Sequence, residues 1–324
     1  MSSLISIVVP VYNEADNIKP FLNRVETVLH ALQKPYEIIF CLDPSSDQTE
    51  TLINQEIERN ASIKLIRFSR RFGQPAATMA GILYAKGDAC VVIDVDLQDP
   101  PELIKAMYIK FLEGYDVVLA KRSSRKGETW LKRVISAFGY KVIAKLSDIE
   151  IPKNTGDFRV ISRRVIEELR RLNETHGFLR GLVAYVGFKQ TFIEYERDER
   201  YLGKGNYNRF FGSLKIGLNG LISFGSRPLQ LMSVAGACIA GLSFVVGIWY
   251  LIQKLLGMNL TPGLSTTVLV VTFFSGVQLL SLGLVGEYIG RIYDEVKRRP
   301  MFIIDKISEN NVENKVVNEY QHIP

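Results

Sequence analysis

Cys90-Val91-Val92-Ile93-Asp94-Val95-Asp96-Leu97-Gln98-Asp99-Pro100-Pro101 is the stretch whose reading decides the fold. Its apolar, β-branched start, Ala89 to Ile93, reads as a buried strand, and the two prolines stop it. Between them stands a carboxylate pair. Asp94 and Asp96 are two residues apart, so on an extended backbone they project to one side, as two hard oxygen ligands of one Mg²⁺ or Mn²⁺ should. Substrate phosphates would complete such a site. Asp-x-Asp alone fits a solvated acidic loop equally well, so its surroundings have to decide.

Upstream, strand and helix alternate. Leu4 to Val11 lacks the basic leader and the length of a secretory signal and reads as a first strand. A helix follows from about Asp16 to Ala31, with Ile18, Phe21, Leu22, Val25 and Leu29 at helical spacing. Tyr36 to Leu42 is a second strand, and Ser46 or Asp47 caps the helix through Leu52 and Ile57. Lys64 to Phe68 is a third strand, followed by an alanine-rich helix, Ala76 to Ala85. This alternation predicts an α/β fold with a mostly parallel, doubly wound sheet, in which ligands bind beyond the carboxyl ends of the strands. Tyr12-Asn13-Glu14, Asp43, Arg70-Arg71 and Asp94-Val95-Asp96 all fall at such ends. Polar residues serving only solubility would scatter over the helices. Neither a G-x-G-x-x-G nor a P-loop pattern is present.

Downstream, Pro101 to Leu112 reads as a helix with Pro101 in its first turn. Asp116 to Lys121 is a further strand, running into Lys121-Arg122-Ser123-Ser124-Arg125-Lys126. Glu128 to Leu146 is amphipathic, with Trp130 and Phe138 on one side and Lys132, Arg133 and Lys141 elsewhere. It fits either a membrane surface or a helix packed on the sheet. Asp157, ahead of Phe158 to Ile161, reads as a helix cap or turn residue. Phe178 to Ile193 is apolar and partly alternating. Glu194 to Asn208 reads as a mobile loop offering Arg200 and Lys204 to a diphosphate, and Phe210, Phe211, Leu214 and Leu218 as one face of an interfacial helix.

Pro228 to Gln253 and Leu255 to Gly286 carry no charge. Each exceeds the roughly 20 residues that span a bilayer. Basic residues flank the pair, Arg209, Lys215 and Arg227 before it and Arg291, Lys297, Arg298 and Arg299 after it, which places both ends in the cytoplasm. Gly236, Ala240, Gly276 and Gly283 would let the two helices approach closely. Asp305 to Pro324 reads as a loosely ordered tail. The expected divisions are a cytoplasmic α/β domain (1–205), an interfacial helix (206–227), a transmembrane hairpin (228–290, with spans near 229–253 and 264–286) and a cytoplasmic tail (291–324).

A chain of 324 residues has room for this α/β domain and about a hundred residues more. Cys41, Cys90 and Cys238 are far apart with no C-x-x-C, which argues against a disulfide framework or a zinc site. His30, His176 and His322 match no metal-ligand spacing. A net charge of +6 without a nucleic-acid motif points to anionic lipid or a phosphorylated substrate rather than nucleic acid.

Val9-Pro10-Val11-Tyr12-Asn13-Glu14, the Asp43 loop, Ser69-Arg70-Arg71-Phe72-Gly73 and Asp94 through Glu102, in this order, resemble family 2 glycosyltransferases of the GT-A fold. Asn154-Thr155-Gly156-Asp157-Phe158-Arg159 and the paired apolar segments narrow the resemblance to polyprenyl-phosphate glycosyltransferases, such as bactoprenol glucosyltransferases and dolichol-phosphate mannose synthases. The resemblance implies that Pro10, Tyr12, Asn13, Glu14 and Asp43 hold the nucleoside of a nucleotide-sugar donor. It implies that Asp94, Asp96 and Gln98 hold a divalent cation, Mg²⁺ or Mn²⁺, and the diphosphate. Arg122, Arg133 and Ser136 would meet the acceptor phosphate. Asp157 would face the active site as a base, or position the acceptor or Arg159. Two departures stand out: Leu42-Asp43-Pro44-Ser45 where Asp-Gly-Ser is usual, and Asn206 where a lysine is common, with Lys204 nearby.

The implied activity is inverting transfer of one sugar, with UDP-glucose as the expected donor, onto a polyprenyl (undecaprenyl) phosphate at the cytoplasmic face of the inner membrane. Self-association through the membrane helices is implied as well. A processive polysaccharide synthase would need Q-x-x-R-W, and neither Trp130 nor Trp249 follows an arginine. A non-catalytic nucleotide-sugar-binding membrane protein is the other alternative, and the retained acid pair argues against it.

Overall fold

A computed structural model describes residues 3–123, 152, 155–172, 174, 179–196, 225, 227–256 and 263–310. The amphipathic segment 128–146, most of the interfacial segment 206–227, and Arg133, Ser136, Arg200 and Lys204 lie outside the described residues.

Among the described residues, eight strands form one sheet in the order β7-β5-β6-β4-β1-β2-β3-β8. In chain order the elements are β1 (Ile5–Val11), α1 (Ala15–Leu32), β2 (Tyr36–Leu42), α2 (Thr49–Arg59), β3 (Ile63–Phe68), α3 (Gln74–Tyr84), β4 (Ala89–Val92), α4 (Leu103–Leu112), β5 (Val117–Arg122) and β6 (Thr155–Ser162). They continue with α5 (Arg163–Leu172), α6 (Leu179–Val186), β7 (Gln190–Tyr195), α7 (Arg227–Leu255), α8 (Leu264–Val296) and β8 (Ile304–Glu309). β1, β2, β3 and β4 run parallel to one another, as the alternation predicts. β6 runs antiparallel to both of its neighbours, β4 and β5. The fold is GT-A-like, with a helical layer over each face. Phe21, Leu22 and Ile104 from α1 and α4 cover one face, and Ala80, Val165 and Leu182 from α3, α5 and α6 cover the other.

Pro10 lies inside β1, a central strand, where a missing N–H would ordinarily break a ladder. Here it breaks none. β1 pairs with β4 only from Ile5 to Val8, and the Val8 carbonyl accepting the Ile93 N–H (3.1 Å) shows that even-numbered residues of β1 face β4. Past Val8 that edge has no partner strand among the described residues. The sheet therefore opens between β1 and β4, the point where strand order reverses and α/β sheets bind ligands. Behind the opening α3 presses on the sheet at Gly81, where an added Cβ would lie 2.3 Å from a Val8 methyl and 2.8 Å from Cys41 Sγ. Cys41 and Cys90 are buried packing residues.

Several expectations are corrected. The strand before the acid pair ends at Val92, and residues 95–96 form a turn, so Asp94 and Asp96 do not sit on extended backbone. The helix after the prolines starts at Leu103, leaving Pro101 outside it. Asp157 is neither a cap nor a turn residue but part of β6. Phe178 to Ile193 divides into α6 and β7.

Ile304–Glu309, all but the first residue of which the sequence places in a loose tail, form β8, which pairs antiparallel with β3 at the sheet edge. The chain thus returns to the α/β domain after the helical hairpin. Phe302 meets Phe68 with ring centroids 5.9 Å apart, and Lys64 bridges Glu37 (3.0 Å) and Glu309 (3.5 Å).

α7 and α8 contain stretches, Arg227–Val246 and Phe273–Val296, long and apolar enough to cross a membrane by length and composition. Their side chains are uncovered; Phe244 is 71% and Leu280 70% exposed. Gly236, Gly276 and Gly283 have open space where a Cβ would stand, so they do not provide the close helix approach expected of them.

Candidate active site

On the β1–β2–β3 side, the loops at the strand ends are latched by side chains that satisfy backbone amides. Asn13 adopts φ 52°, a left-handed conformation that asparagine tolerates better than most residues. Its Oδ1 accepts the Ser46 N–H (2.8 Å), and its own N–H donates to Ser45 Oγ (3.0 Å). The Glu14 N–H donates to Thr49 Oγ1 (3.0 Å) and the Ala15 N–H to Asp47 Oδ2 (3.1 Å). Burial alone would raise the Asp47 carboxyl, but the Thr49 hydroxyl and the amides of Ala15 and Thr49 hold it below the usual range.

Asp43 is 3% exposed, and its two oxygens accept the Phe72 and Gly73 N–H groups, both at 2.9 Å. Its observed contacts fasten the loop after β3. That loop places the Arg71 guanidinium 3.9 Å from the centre of the Tyr12 ring.

On the other side of the opening, residues 94–99 alternate in burial: Asp94, Asp96 and Gln98 are half-buried, whereas Val95, Leu97 and Asp99 are buried. Leu97 takes φ 58°, which costs on the order of 1 kcal/mol for a residue with a Cβ, and its burial holds it there. Gln74 Nε2 donates to Asp94 Oδ1 (2.8 Å) and the Gln98 N–H to Asp96 Oδ1 (3.2 Å). Two carboxylates and an amide oxygen form the hard donor set that a small divalent cation takes when substrate phosphates fill its other positions. Among the described residues no group of three or more His, Cys, Asp and Glu could enclose an ion by itself.

Because β6 is antiparallel, its amino end reaches the carboxyl ends of β4 and β5. Val92 pairs with Arg159 as the last position of the ladder, so Asp157 lies two residues beyond it, at the carboxyl end of β4. Asp157 Oδ1 accepts from Arg180 Nε (2.9 Å) and from an Arg159 terminal nitrogen (3.4 Å). Burial pushes the Asp157 carboxyl up, but Arg180, Arg159 and Arg122 outweigh it and leave it below the usual carboxylate range.

Arg159 is 1% exposed and also donates to the carbonyls of Gly156 (2.9 Å) and Asp157 (3.1 Å). Burial lowers its pKa to about 10. Its contacts mark it as a positioning residue beneath Asp157. Arg122 lies against Gly156, where a Cβ would stand 2.9 Å from a guanidinium nitrogen. Its Nε lies 3.4 Å from the Tyr195 hydroxyl, which donates to buried Asp99.

Among the expected site residues, Asp94, Asp96, Gln98, Arg122, Asp157 and Arg159 gather on the β4–β6–β5 side, and Tyr12, Asn13 and Glu14 on the β1 side. Pro10 and Asp43 are buried in the framework. Sequence reading gave no role to Gln74, Asp99, Tyr195 or Arg180. Arg180 carried a signal, being a charge near the start of an otherwise mostly apolar run.

Residues 6–170 match Glycosyl transferase family 2, and residues 227–292 match the GtrB C-terminal hairpin. The uncharacterized glycosyltransferase YkcC of Bacillus subtilis is 44% identical over 98% of this chain and 98% of its own length. The SfII prophage-derived bactoprenol glucosyl transferase of Shigella flexneri is 40% identical over 95% of this chain and 99% of its own. An uncharacterized glycosyltransferase of Synechocystis, sll0501, is 41% identical over 95% and 96%. With the opening between β1 and β4 and the acid pair beside it, these likenesses establish that the chain is a glycosyltransferase and belongs to glycosyl transferase family 2, with a GtrB-type C-terminal hairpin.

Proposed function

We propose that the protein transfers one glucose from UDP-glucose to a polyprenyl phosphate, of the undecaprenyl type, at the cytoplasmic face of the inner membrane. The observation that carries this reading is that Asp94, Asp96 and Gln98 follow β4 while Asp157 and Arg122 stand on the adjoining β6 and β5, all on one side of the sheet opening, in a chain that also bears two uncovered apolar helices. The name of the Shigella relative supports the sugar and the lipid. α7 and α8 span the bilayer with both ends in the cytoplasm, so the protein is multi-pass, and self-association runs through these helices.

In this reading Tyr12, Asn13 and Glu14 line the nucleoside side, and Asp94, Asp96 and Gln98 hold Mg²⁺ or Mn²⁺ with the diphosphate. When bound, the cation offsets charge on the departing diphosphate. Arg122 holds the acceptor phosphate in line with the anomeric carbon. Arg133, Ser136, Arg200 and Lys204 add phosphate contacts from segments outside the described residues. A phosphate oxygen attacks the anomeric carbon as the bond to the UDP oxygen breaks, and this single displacement inverts the centre. A phosphate monoester has a second pKa of about 6, so the acceptor is already a nucleophile at neutral pH. Asp157, held ionised by its arginines, is a weak base and acts by orienting them.

Membranes containing the full chain, supplied with radiolabelled UDP-glucose, test the proposal. Label entering a solvent-extractable lipid that mild acid releases as glucose is the expected result. Label that stays water-soluble, or that accumulates in polysaccharide, contradicts it.

A further inference from the structure

We propose that Tyr195, at the end of β7, is a positioning residue that holds the Arg122 guanidinium where it meets the acceptor phosphate. This role rests on the functional reading above, which gives that phosphate to Arg122. It adds two residues that shape the contact, Tyr195 and Gly156.

Arg122 and Tyr195 are paired across β5 and β7 at the last position of that ladder, which sets their side chains next to each other. Arg122 Nε is 3.4 Å from the Tyr195 hydroxyl. A guanidinium has only donors, so the hydroxyl oxygen accepts from Nε while its single proton goes to the Asp99 carboxylate. Burial and Asp99 push the Tyr195 phenol up to about 12, so the proton stays in place at neutral pH. Tyr195 is 6% exposed, and its ring packs edge-on against Phe158 with centroids 6.4 Å apart. That packing fixes where the hydroxyl stands.

Asp99 is 1% exposed and lies 3.8 Å from an Arg122 terminal nitrogen, whereas Arg122 is 23% exposed. A buried carboxylate at this distance draws the guanidinium inward. The hydroxyl, bonded to both groups, keeps the guanidinium short of a direct pair. From the other side Gly156 leaves it room, since a Cβ there would stand 2.9 Å from a guanidinium nitrogen. Gly156 has no left-handed φ, so the backbone does not call for glycine at this position; the space beside Arg122 does. Asp99 also ends the segment that carries Asp94, Asp96 and Gln98, so one hydroxyl ties that segment to Arg122.

Initial rates are measured with the full chain in membranes at varied UDP-glucose and varied undecaprenyl phosphate. The proteins are the wild type, Arg122→Gln, Tyr195→Phe and Gly156→Ala, and the last two each combined with Arg122→Gln. Tyr195→Phe removes only the hydroxyl and should raise the KM for undecaprenyl phosphate about five- to tenfold, the scale of one hydrogen bond, with kcat and the KM for UDP-glucose unchanged. Gly156→Ala, which pushes only the far end of a flexible side chain, should raise the same constant. Neither should act further in the Arg122→Gln background. Unchanged constants, a fall in kcat alone, an equal rise in both KM values, or effects that persist in full beside Arg122→Gln overturn the proposal. A hydroxyl that served Asp99 alone would lower the unfolding midpoint and leave the KM values as they are.

If Tyr195→Phe fails to reach the membrane, Gly156→Ala decides alone: a raised lipid KM that vanishes in the Arg122→Gln background supports the proposal, and any other result overturns it. A lipid KM that Arg122→Gln itself leaves unchanged overturns the reading of Arg122, and the role of Tyr195 with it. If the wild type transfers no sugar to lipid, the functional reading fails separately. Equilibrium binding of inorganic phosphate then tests Tyr195, with a weaker affinity in Tyr195→Phe expected and an equal affinity overturning the assignment.

Discussion

The two sides of the sheet opening are held by opposite means. On the β1–β2–β3 side, Asp43 and Asp47 accept from backbone amides and Asn13 ties one loop to the next, so the loops are fixed by side-chain-to-backbone hydrogen bonds. On the β4–β6–β5 side, Arg122, Arg159 and Arg180 act on the Asp157 carboxylate, and Asp99 lies 3.8 Å from Arg122, so charged groups face one another. The first side is a cradle of set shape, suited to a nucleoside. The second is a charged seat, suited to phosphate. Asp94 and Asp96 stand on the boundary.

Breaking the boundary has the largest expected effect. Asp96→Asn should lower transfer by about a thousandfold or more, the scale of removing a major electrostatic contribution, while the protein still accumulates in membranes. Rates and immunoblots of the same membranes check both halves. Next comes the charged side. Asp157→Asn leaves three arginines facing one another and should cost about a hundredfold in kcat, with a smaller change in donor KM. Its pH dependence follows from the lowered carboxyl: the stability Asp157 contributes is complete above its unfolded pKa of about 3.9 and is lost as pH falls through the lower folded value. Between pH 6 and 8 the wild-type rate should therefore show no limb from this group, and Asp157→Asn should flatten acid unfolding.

The cradle side should respond differently. Asp43→Asn replaces one charged acceptor by an amide nitrogen facing an N–H, a loss of about 1–3 kcal/mol. It should raise the KM for UDP-glucose and leave that for the lipid unchanged; equal effects on both would erase the distinction between the two sides. The smallest effect is expected at the sheet edge. Phe302→Ala removes the contact with Phe68 and should cost about 1 kcal/mol, visible as a lower unfolding midpoint without a change in either KM.

The parallel half of the fold was legible because its signal is local. Each of β1 to β4 is a short apolar run, and each polar cluster marks a strand end. β6 was not legible as a sheet partner, since nothing in Thr155–Ser162 records that it inserts antiparallel between β4 and β5. That insertion is what brings Asp157 to the carboxyl end of β4. β8 was missed for a related reason: Ile304–Glu309 holds only two apolar residues, Ile304 and Ile307, three apart rather than in strand alternation, and such a half-exposed edge strand resembles a polar tail. Asp43 was recognised as a site residue by its place in the chain, while its bonds to Phe72 and Gly73 depend on a loop 30 residues away. Arg180 meets Asp157 from 23 residues along, through packing that spacing does not encode.

The central claim is that the carboxylates after β4 bind the donor through a divalent cation. Equilibrium binding of UDP to the full-length protein, with Mn²⁺ and with excess EDTA, for the wild type and Asp96→Asn, addresses it directly. UDP should bind the wild type only when Mn²⁺ is present and should bind the variant weakly in both conditions. Equal affinity in all four measurements would contradict the account.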